Sequence, residues 1–206
     1  FQETIRSILN QTYKNYEVIV IYDDACLDEL EFVKSNLKKI KIKKLIINNK
    51  NYGVGISRNR GILEARGTYI AFCDADDVWK KNKLYSQLRF MLENNLEISY
   101  TNYFVINEKS KTIGKLKSLK RLNYNDLLKS CDIGLSTIIL NKKFFNKNKF
   151  SKLKTKEDYL LWLKIVKKIK FIYGLNQYLS SWRENKNSLS SSIIQKLLDA
   201  YRLYRL

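Results

Sequence analysis

The chain has 206 residues, 45% hydrophobic and 13% aromatic, which excludes a disordered segment and leaves room for one domain with a real core. Basic residues outnumber acidic ones 39 to 20, a net charge of +19, and His is absent, which excludes Ser-His-Asp, Cys-His and histidine–metal chemistry. Cys26, Cys73 and Cys131 lie far apart without CxxC spacing, which excludes a disulfide framework and zinc and fits reduced thiols in the cytosol.

Residues 2–12, with Ile5, Ile8 and Leu9 at helical spacing, are expected to form a helix. YEVIVIYDD follows as a short apolar run ending in acid, the pattern of a buried parallel strand. Residues 27–39 place Leu30, Val33 and Leu37 on one helical face, and IKKLIINN is a second strand. NYGVGISRNRGILEARG predicts a glycine turn and a helix from about Ile56, stopped by Gly67 as a C-terminal cap. TYIAFCD is a third strand, KKNKLYSQLRFMLENN an amphipathic helix and LEISYTNYFVI a fourth strand. This alternation implies an α/β fold with a doubly wound, mostly parallel sheet.

Beyond residue 107 the pattern is less regular. NEKSKTIG is a polar turn, YNDLLKS a short helix, STIIL a short strand and KEDYLLWLKIVKK a strong helix. KIKFIYGLNQYLSSWRE is extended, and a helix over residues 192–206 closes the chain. No repeat or linker divides it. No apolar run approaches the roughly 18 residues of a membrane-spanning helix. The opening FQETIRSILNQ has no initiator Met and no basic region leading into an apolar stretch, so it reads as the start of a fragment and not as a signal peptide.

Two of the expected strands end in acid. Asp23 and Asp24 close the first, and Asp74, Asp76 and Asp77 follow the third. In open α/β sheets ligands bind beyond the carboxyl ends of the strands, so both clusters should line one edge. Asp74 and Asp76, separated by Ala75, can meet one hard cation such as Mg²⁺ or Mn²⁺, which is commonly shared between carboxylates and substrate phosphates. The competing reading makes Asp76 or Asp77 the N-cap of the next helix. Asp158 in TKED likewise fits a capping box with Thr155. Asn51, Gly53 and Gly55 precede a helix whose N-terminus could face phosphate, or they form a simple turn.

ETIRSILNQTYKNYEVIVIYDD, NYGVGISRNRGILEARGTYIAFCDADDVW and KEDYLLWLKI together resemble the family 2 glycosyltransferases with the GT-A fold, closely over residues 2–95 and more loosely over 155–185. The resemblance implies a nucleotide-sugar donor, Mn²⁺ or Mg²⁺ as cofactor, and inverting transfer of a hexosyl or N-acetylhexosaminyl group to a carbohydrate or lipid-linked glycan acceptor in surface polysaccharide or lipooligosaccharide synthesis. It places Asp23 and Asp24 at the nucleotide, Asp24 against the base, with Arg58 close by. Asp76 becomes the main metal ligand, with Asp74 as its neighbour beside sugar and ribose. Asp158 becomes the general base, with Glu157 adjacent. Trp182 and Arg183 match a loop that closes over substrate. Residues 1–206 are then one domain, with a nucleotide-sugar half to residue 106 and an acceptor half from 107. The family's first strand is missing, and YDDACLDE replaces its usual small, hydroxyl-rich turn.

The charge of +19 speaks to partners and not to fold. The run Lys34, Lys38, Lys39, Lys41, Lys43 and Lys44 is a solvated face or a dock for anionic lipid, which would make a cytoplasmic enzyme peripheral on the inner face of the membrane. A basic nucleic-acid-binding module is one rival. The acidic strand ends oppose it, since they repel phosphate unless metal-bound, so no nucleic acid is expected as partner. A truncated, inactive paralogue is the other.

Overall fold

A computed structural model describes residues 1–38, 40, 44–185, 198 and 201. Lys39, Lys41 and Lys43 of the basic run lie outside the described residues, as does the expected closing helix apart from Leu198 and Tyr201.

Helix and strand alternate through the first half: α1 (Gln2–Leu9), β1 (Ile19–Tyr22), α2 (Leu27–Leu37), β2 (Lys44–Ile47), α3 (Val54–Glu64) and β3 (Tyr69–Ala71). Next come β4 (Val78–Trp79), α4 (Lys83–Glu93) and β5 (Ile98–Ile106). The second half adds β6 (Thr112–Leu116), β7 (Arg121–Leu122), α5 (Tyr124–Lys129), β8 (Ile139–Asn141), α6 (Glu157–Ile169) and β9 (Ile172–Arg183), with 3-10 turns at Leu135–Thr137 and Lys142–Asn146. The expected strand STIIL is thus half turn and half β8.

The strands form two sheets. β1 and β2 pair in parallel as one ribbon. The other sheet has seven strands, in the order β3-β8-β5-β9-β4, with β6 on the end of β5 and β7 on the end of β9. It is mixed: β5 and β9 run parallel, while β3–β8, β5–β8, β4–β9, β5–β6 and β7–β9 are antiparallel. The antiparallel partners β6 to β8 come from the irregular second half, whose short strands carry no helical crossover to enforce parallel pairing.

The main core lies between this sheet and α6, where Tyr159, Leu160, Trp162, Leu163, Ile165 and Val166 are buried. Phe72, Phe145, Phe150 and Trp162 contact one another mainly edge to face there. α1 works differently from its apolar pattern. Ile5 is buried, but so are Thr4, Ser7 and Gln11. Thr4 Oγ1 donates to Ala75 O at 2.8 Å, Trp79 N donates to Ser7 Oγ at 3.1 Å, and Gln11 Nε2 donates to Lys80 O at 2.8 Å. A polar stripe on α1 therefore fixes the segment after β3.

Three expected caps are absent. α3 ends at Ala65 in extended backbone, and the N–H groups of Arg66 and Gly67 donate to Glu17, so no left-handed glycine closes the helix. α4 begins after Asn82, with β4 between it and the acids, so neither Asp76 nor Asp77 caps it. α6 begins after Lys156, held in left-handed backbone at φ 62°, and not after Thr155.

The glycines before α3 separate into two roles. Gly53 is the turn residue, at φ 88°. Gly55 lies inside α3, where an added Cβ would sit 2.2 Å from the main-chain oxygen of Ser151. Asn59, one turn on, exchanges two hydrogen bonds with the main chain of Phe150, at 2.9 and 3.0 Å. These contacts clamp α3 onto the segment that leads into α6. Gly55→Ala is expected to force the two apart and cost about 1–3 kcal/mol. Urea denaturation should show a lower midpoint at unchanged slope; an unchanged midpoint would contradict the close approach.

Candidate active site

The strand ends, the first turns of α3 and α6 and the Leu135–Thr137 turn open onto one cavity of about 700 Å³. Asp74, Asp76 and Asp77 line it from the loop after β3, Arg58 and Val54 from α3, Glu157 and Asp158 from α6, and Trp182 and Arg183 from β9. Chain segments some hundred residues apart thus present six carboxylates, Glu108 included, to one space.

Arg58 is the joint between them. Its Nη2 donates to Asp74 Oδ1 at 2.9 Å and its Nη1 pairs with Glu157 Oε1. The guanidinium is largely buried and also lies over the Phe150 ring, 5.5 Å from its centroid. Burial alone would weaken its proton affinity. The attraction of Asp74, Glu157 and Asp158 outweighs this and raises the pKa.

Each carboxylate has its own setting. Burial, then repulsion from Asp74, pushes Asp77 up to about 7. It accepts from Arg183 N at 3.0 Å, and the Ser136 hydroxyl and this bond hold the rise back in part. Burial and the same neighbour raise Asp76, whose Oδ2 accepts from Asn185 Nδ2 at 2.8 Å. Burial, then the charge of Asp158, raises Glu157. Burial raises Asp158 as well, and its Oδ1 accepts from Tyr159 N at 2.7 Å. Arg58 takes Glu157 as its partner on α6, so Asp158 faces the cavity without an ion pair among the described residues.

The strand-end acids after β1 are linked to this site indirectly. Asp23 Oδ1 accepts from Asn48 Nδ2 at 2.6 Å and from Tyr52 N at 2.8 Å. Asn48 Nδ2 also reaches Ser57 Oγ at 2.8 Å, next to Arg58. Asp24 is exposed, accepts from Ala25 N and Cys26 N of its own turn, and is not a cavity-lining residue. Trp182 lies at the cavity edge, 40% exposed. Arg183 is a staple and not a free loop residue: it donates to Asp76 O, to Asn107 O and to Glu3.

The pattern described as Glycosyl transferase family 2 matches residues 1–154. The chain belongs to that family. Over 196 residues it is 38% identical to the UDP-Glc:alpha-D-GlcNAc-diphosphoundecaprenol beta-1,3-glucosyltransferase WfgD of Escherichia coli, covering 94% of this chain and 76% of that protein. It is 35% identical to WfaP of the same species, a protein of the same description, over 95% of this chain and 76% of the relative. Residues 1–349 of the S. aureus protein TarS in complex with UDP-GlcNAc have the same fold, with a TM-score of 0.74 at 20% identity, over 92% of this chain and 56% of that TarS chain. The chain is a family 2 glycosyltransferase with a GT-A-like α/β fold, and the match favours this over a nucleic-acid-binding module.

Several cavity residues escape the sequence reading. Ser136 sits in a stretch that reads as strand. Asn185 and Lys154 lie in polar runs with no spacing signal. Asn48, outside the cavity, reads as the end of the second strand, yet it is buried and accepts from Arg60 as well. Asp77 is visible in the sequence, but its place beneath Arg183 depends on β4 pairing with β9.

Two measurements check the electrostatics. Arg58→Ala strands Glu157 as a buried charge, and a loss of about 3–5 kcal/mol is expected, with the larger share on the Glu157 side because Asp74 is half in solvent. Adding Glu157→Gln should recover part of that loss in urea denaturation; no recovery would show that Glu157 is not the stranded charge. Asp77 has a raised folded-state pKa, so its contribution favours folding below the unfolded value of 3.8 and is lost as pH rises through about 7. Without added cation, the stability difference between Asp77→Asn and wild type should therefore grow in favour of the variant between about pH 4 and 7. A flat difference would contradict the buried setting of Asp77.

Proposed function

We propose that this chain moves a sugar from a nucleoside-diphosphate donor to a hydroxyl of a lipid-linked sugar acceptor, by one displacement that inverts the anomeric carbon. The observation that carries this reading is that Asp76 and Asp158 line one cavity from either side of the Arg58 bridge. One side can hold the leaving diphosphate and the other can receive the acceptor's proton.

The donor side fits a hard cation. Asp74, Asp76 and Asp77 offer only oxygen, and burial, with repulsion from Asp74 after it, already raises Asp76 and Asp77, so a positive ion relieves a strain present in the protein. Asp76 would be the principal ligand, with Asp74 beside it still on Arg58. A bound Mg²⁺ or Mn²⁺ would supply charge neutralisation for the departing diphosphate. Asp23, through Asn48 and Ser57, fixes the first turn of α3 on the nucleotide side.

On the acceptor side Asp158 is the general base. Its raised pKa brings the carboxylate closer to the working pH, where proton acceptance is most effective. Glu157 holds Arg58 and so positions its neighbour rather than reacting. Lys154 and Lys156 at the same rim supply cations for an acceptor phosphate, in keeping with the diphosphoundecaprenol acceptors named for WfgD and WfaP. Among the described residues no helix is long and apolar enough to cross a membrane. Contact with a lipid-linked acceptor would then be peripheral, at the inner face, with Lys34, Lys38 and Lys44 toward anionic lipid.

The test is nucleotide release and sugar transfer with a panel of nucleotide sugars, with and without Mn²⁺. Release should require the metal and disappear in Asp76→Ala. Asp158→Asn should lower kcat of transfer by about 10²–10⁴-fold while donor binding persists. Metal-independent turnover, or full activity in Asp158→Asn, would overturn the assignment.

A further inference from the structure

The Leu135–Thr137 turn lies between the two halves of the cavity and receives more hydrogen bonds than its length suggests. Trp79 Nε1 and Ser180 Oγ both donate to the Ser136 carbonyl, each at 2.9 Å. Gln87 Nε2 donates to the Thr137 carbonyl at 3.0 Å, and the buried Lys83 Nζ lies 3.5 Å from the same oxygen. The turn's backbone is thereby fixed from β4, β9 and α4 at once. The Ser136 side chain of this turn is buried and lines the cavity together with the acids. Ser136 Oγ accepts from Asp74 N at 3.0 Å, which leaves its own proton for the Asp77 carboxylate nearby, where it favours the charged form. A hydroxyl has one proton and can do both at once.

We propose that Ser136 is a positioning residue for the donor site: it locks the loop from Asp74 to Asp77, and so sets where the Asp76 carboxylate meets the cation-bound diphosphate. This rests on the donor-site reading above. Asp77 N already donates to Asp74 O at 3.1 Å, so the loop is a tight turn, and Ser136 ties its first and last residues to the rigid turn behind it. Thr4 holds only the intervening carbonyl of Ala75. With the hydroxyl gone, Asp74 N loses a buried acceptor and Asp77 keeps only Arg183 N among the partners named here. Asp76 itself keeps Asn185 and Arg183. The cost therefore falls on the geometry of the ligand and not on the fold, whose anchors use the Ser136 carbonyl and survive the substitution.

The experiment compares wild type, Ser136→Ala, Asp77→Asn and the double variant. The probe is whichever of UDP, GDP and dTDP the wild type binds by calorimetry in Mn²⁺, with donor KM, kcat and the unfolding midpoint measured alongside. Ser136→Ala should weaken nucleoside-diphosphate binding and raise donor KM by about 10–100-fold, with kcat changed much less. In the Asp77→Asn background the same substitution should cost less than in the wild type, because an amide oxygen accepts the Ser136 proton more weakly than a carboxylate does. Ser136→Cys, nearly isosteric but a poor hydrogen-bonding partner, should follow Ser136→Ala and guards against a packing defect. Wild-type binding by both Ser136 variants, or an undiminished effect in the Asp77→Asn background, overturns the proposal. If the wild type binds none of the three nucleotides, the donor-site reading fails instead.

Discussion

A buried guanidinium between two carboxylates from distant parts of the chain is the interaction on which this site depends. Arg58 holds Asp74, in the loop after β3, and Glu157, in the first turn of α6. The arrangement carries a cost as well as a gain, because desolvating the guanidinium and the carboxylates opposes folding. It persists because α3 is also fixed by contacts that do not involve the two carboxylates. Gly55 lets the helix touch Ser151, Asn59 locks it to Phe150, and the Phe150 ring backs the guanidinium. The Arg58 bridge then fixes the width of the cavity, and with it the relation of Asp76 to Asp158.

The same geometry resolves an imbalance in the composition. A chain carrying +19 gathers six of its 20 acids in one cavity. Burial penalises their charge, and repulsion between confined carboxylates adds to it, so Asp76, Asp77, Glu157 and Asp158 all bind protons more readily than free acids do. That stored repulsion is what a cation would discharge on one side and an acceptor hydroxyl's proton on the other. Lys154 and Lys156 belong to the opposite sign of the same field, and stand at the rim on the Asp158 side.

The fold was legible in the first half because alternation and acid-ended strands repeat there with few exceptions. α1, α2 and α4 fall within their predicted spans, as do β1 to β3 and β5, while α3 starts at Val54, ahead of the expected Ile56. The metal-type acids, Arg58, Glu157 and Asp158 were visible as residue types and as a resemblance, and the cavity contains them all. The rest was hidden for physical reasons. Caps were misplaced because Glu17, far in sequence, satisfies the N–H groups at the end of α3. The polar stripe of α1 was missed because apolar periodicity does not register Thr4, Ser7 and Gln11 as a packing face. Ser136 and Asn48 carry no pattern at all, since their roles exist only once β8, β9 and α3 are assembled. Asp24, prominent in sequence, bonds to its own turn outside the cavity.

The most direct measurement is a crystal structure of the protein with Mn²⁺ and a bound nucleoside diphosphate, using anomalous scattering from manganese to place the ion. The account predicts a single strong anomalous peak in contact with the Asp76 carboxylate and the diphosphate, with Arg58 still joined to both Asp74 and Glu157. An ion away from Asp76, or an Arg58 that leaves either carboxylate when the nucleotide binds, would contradict it.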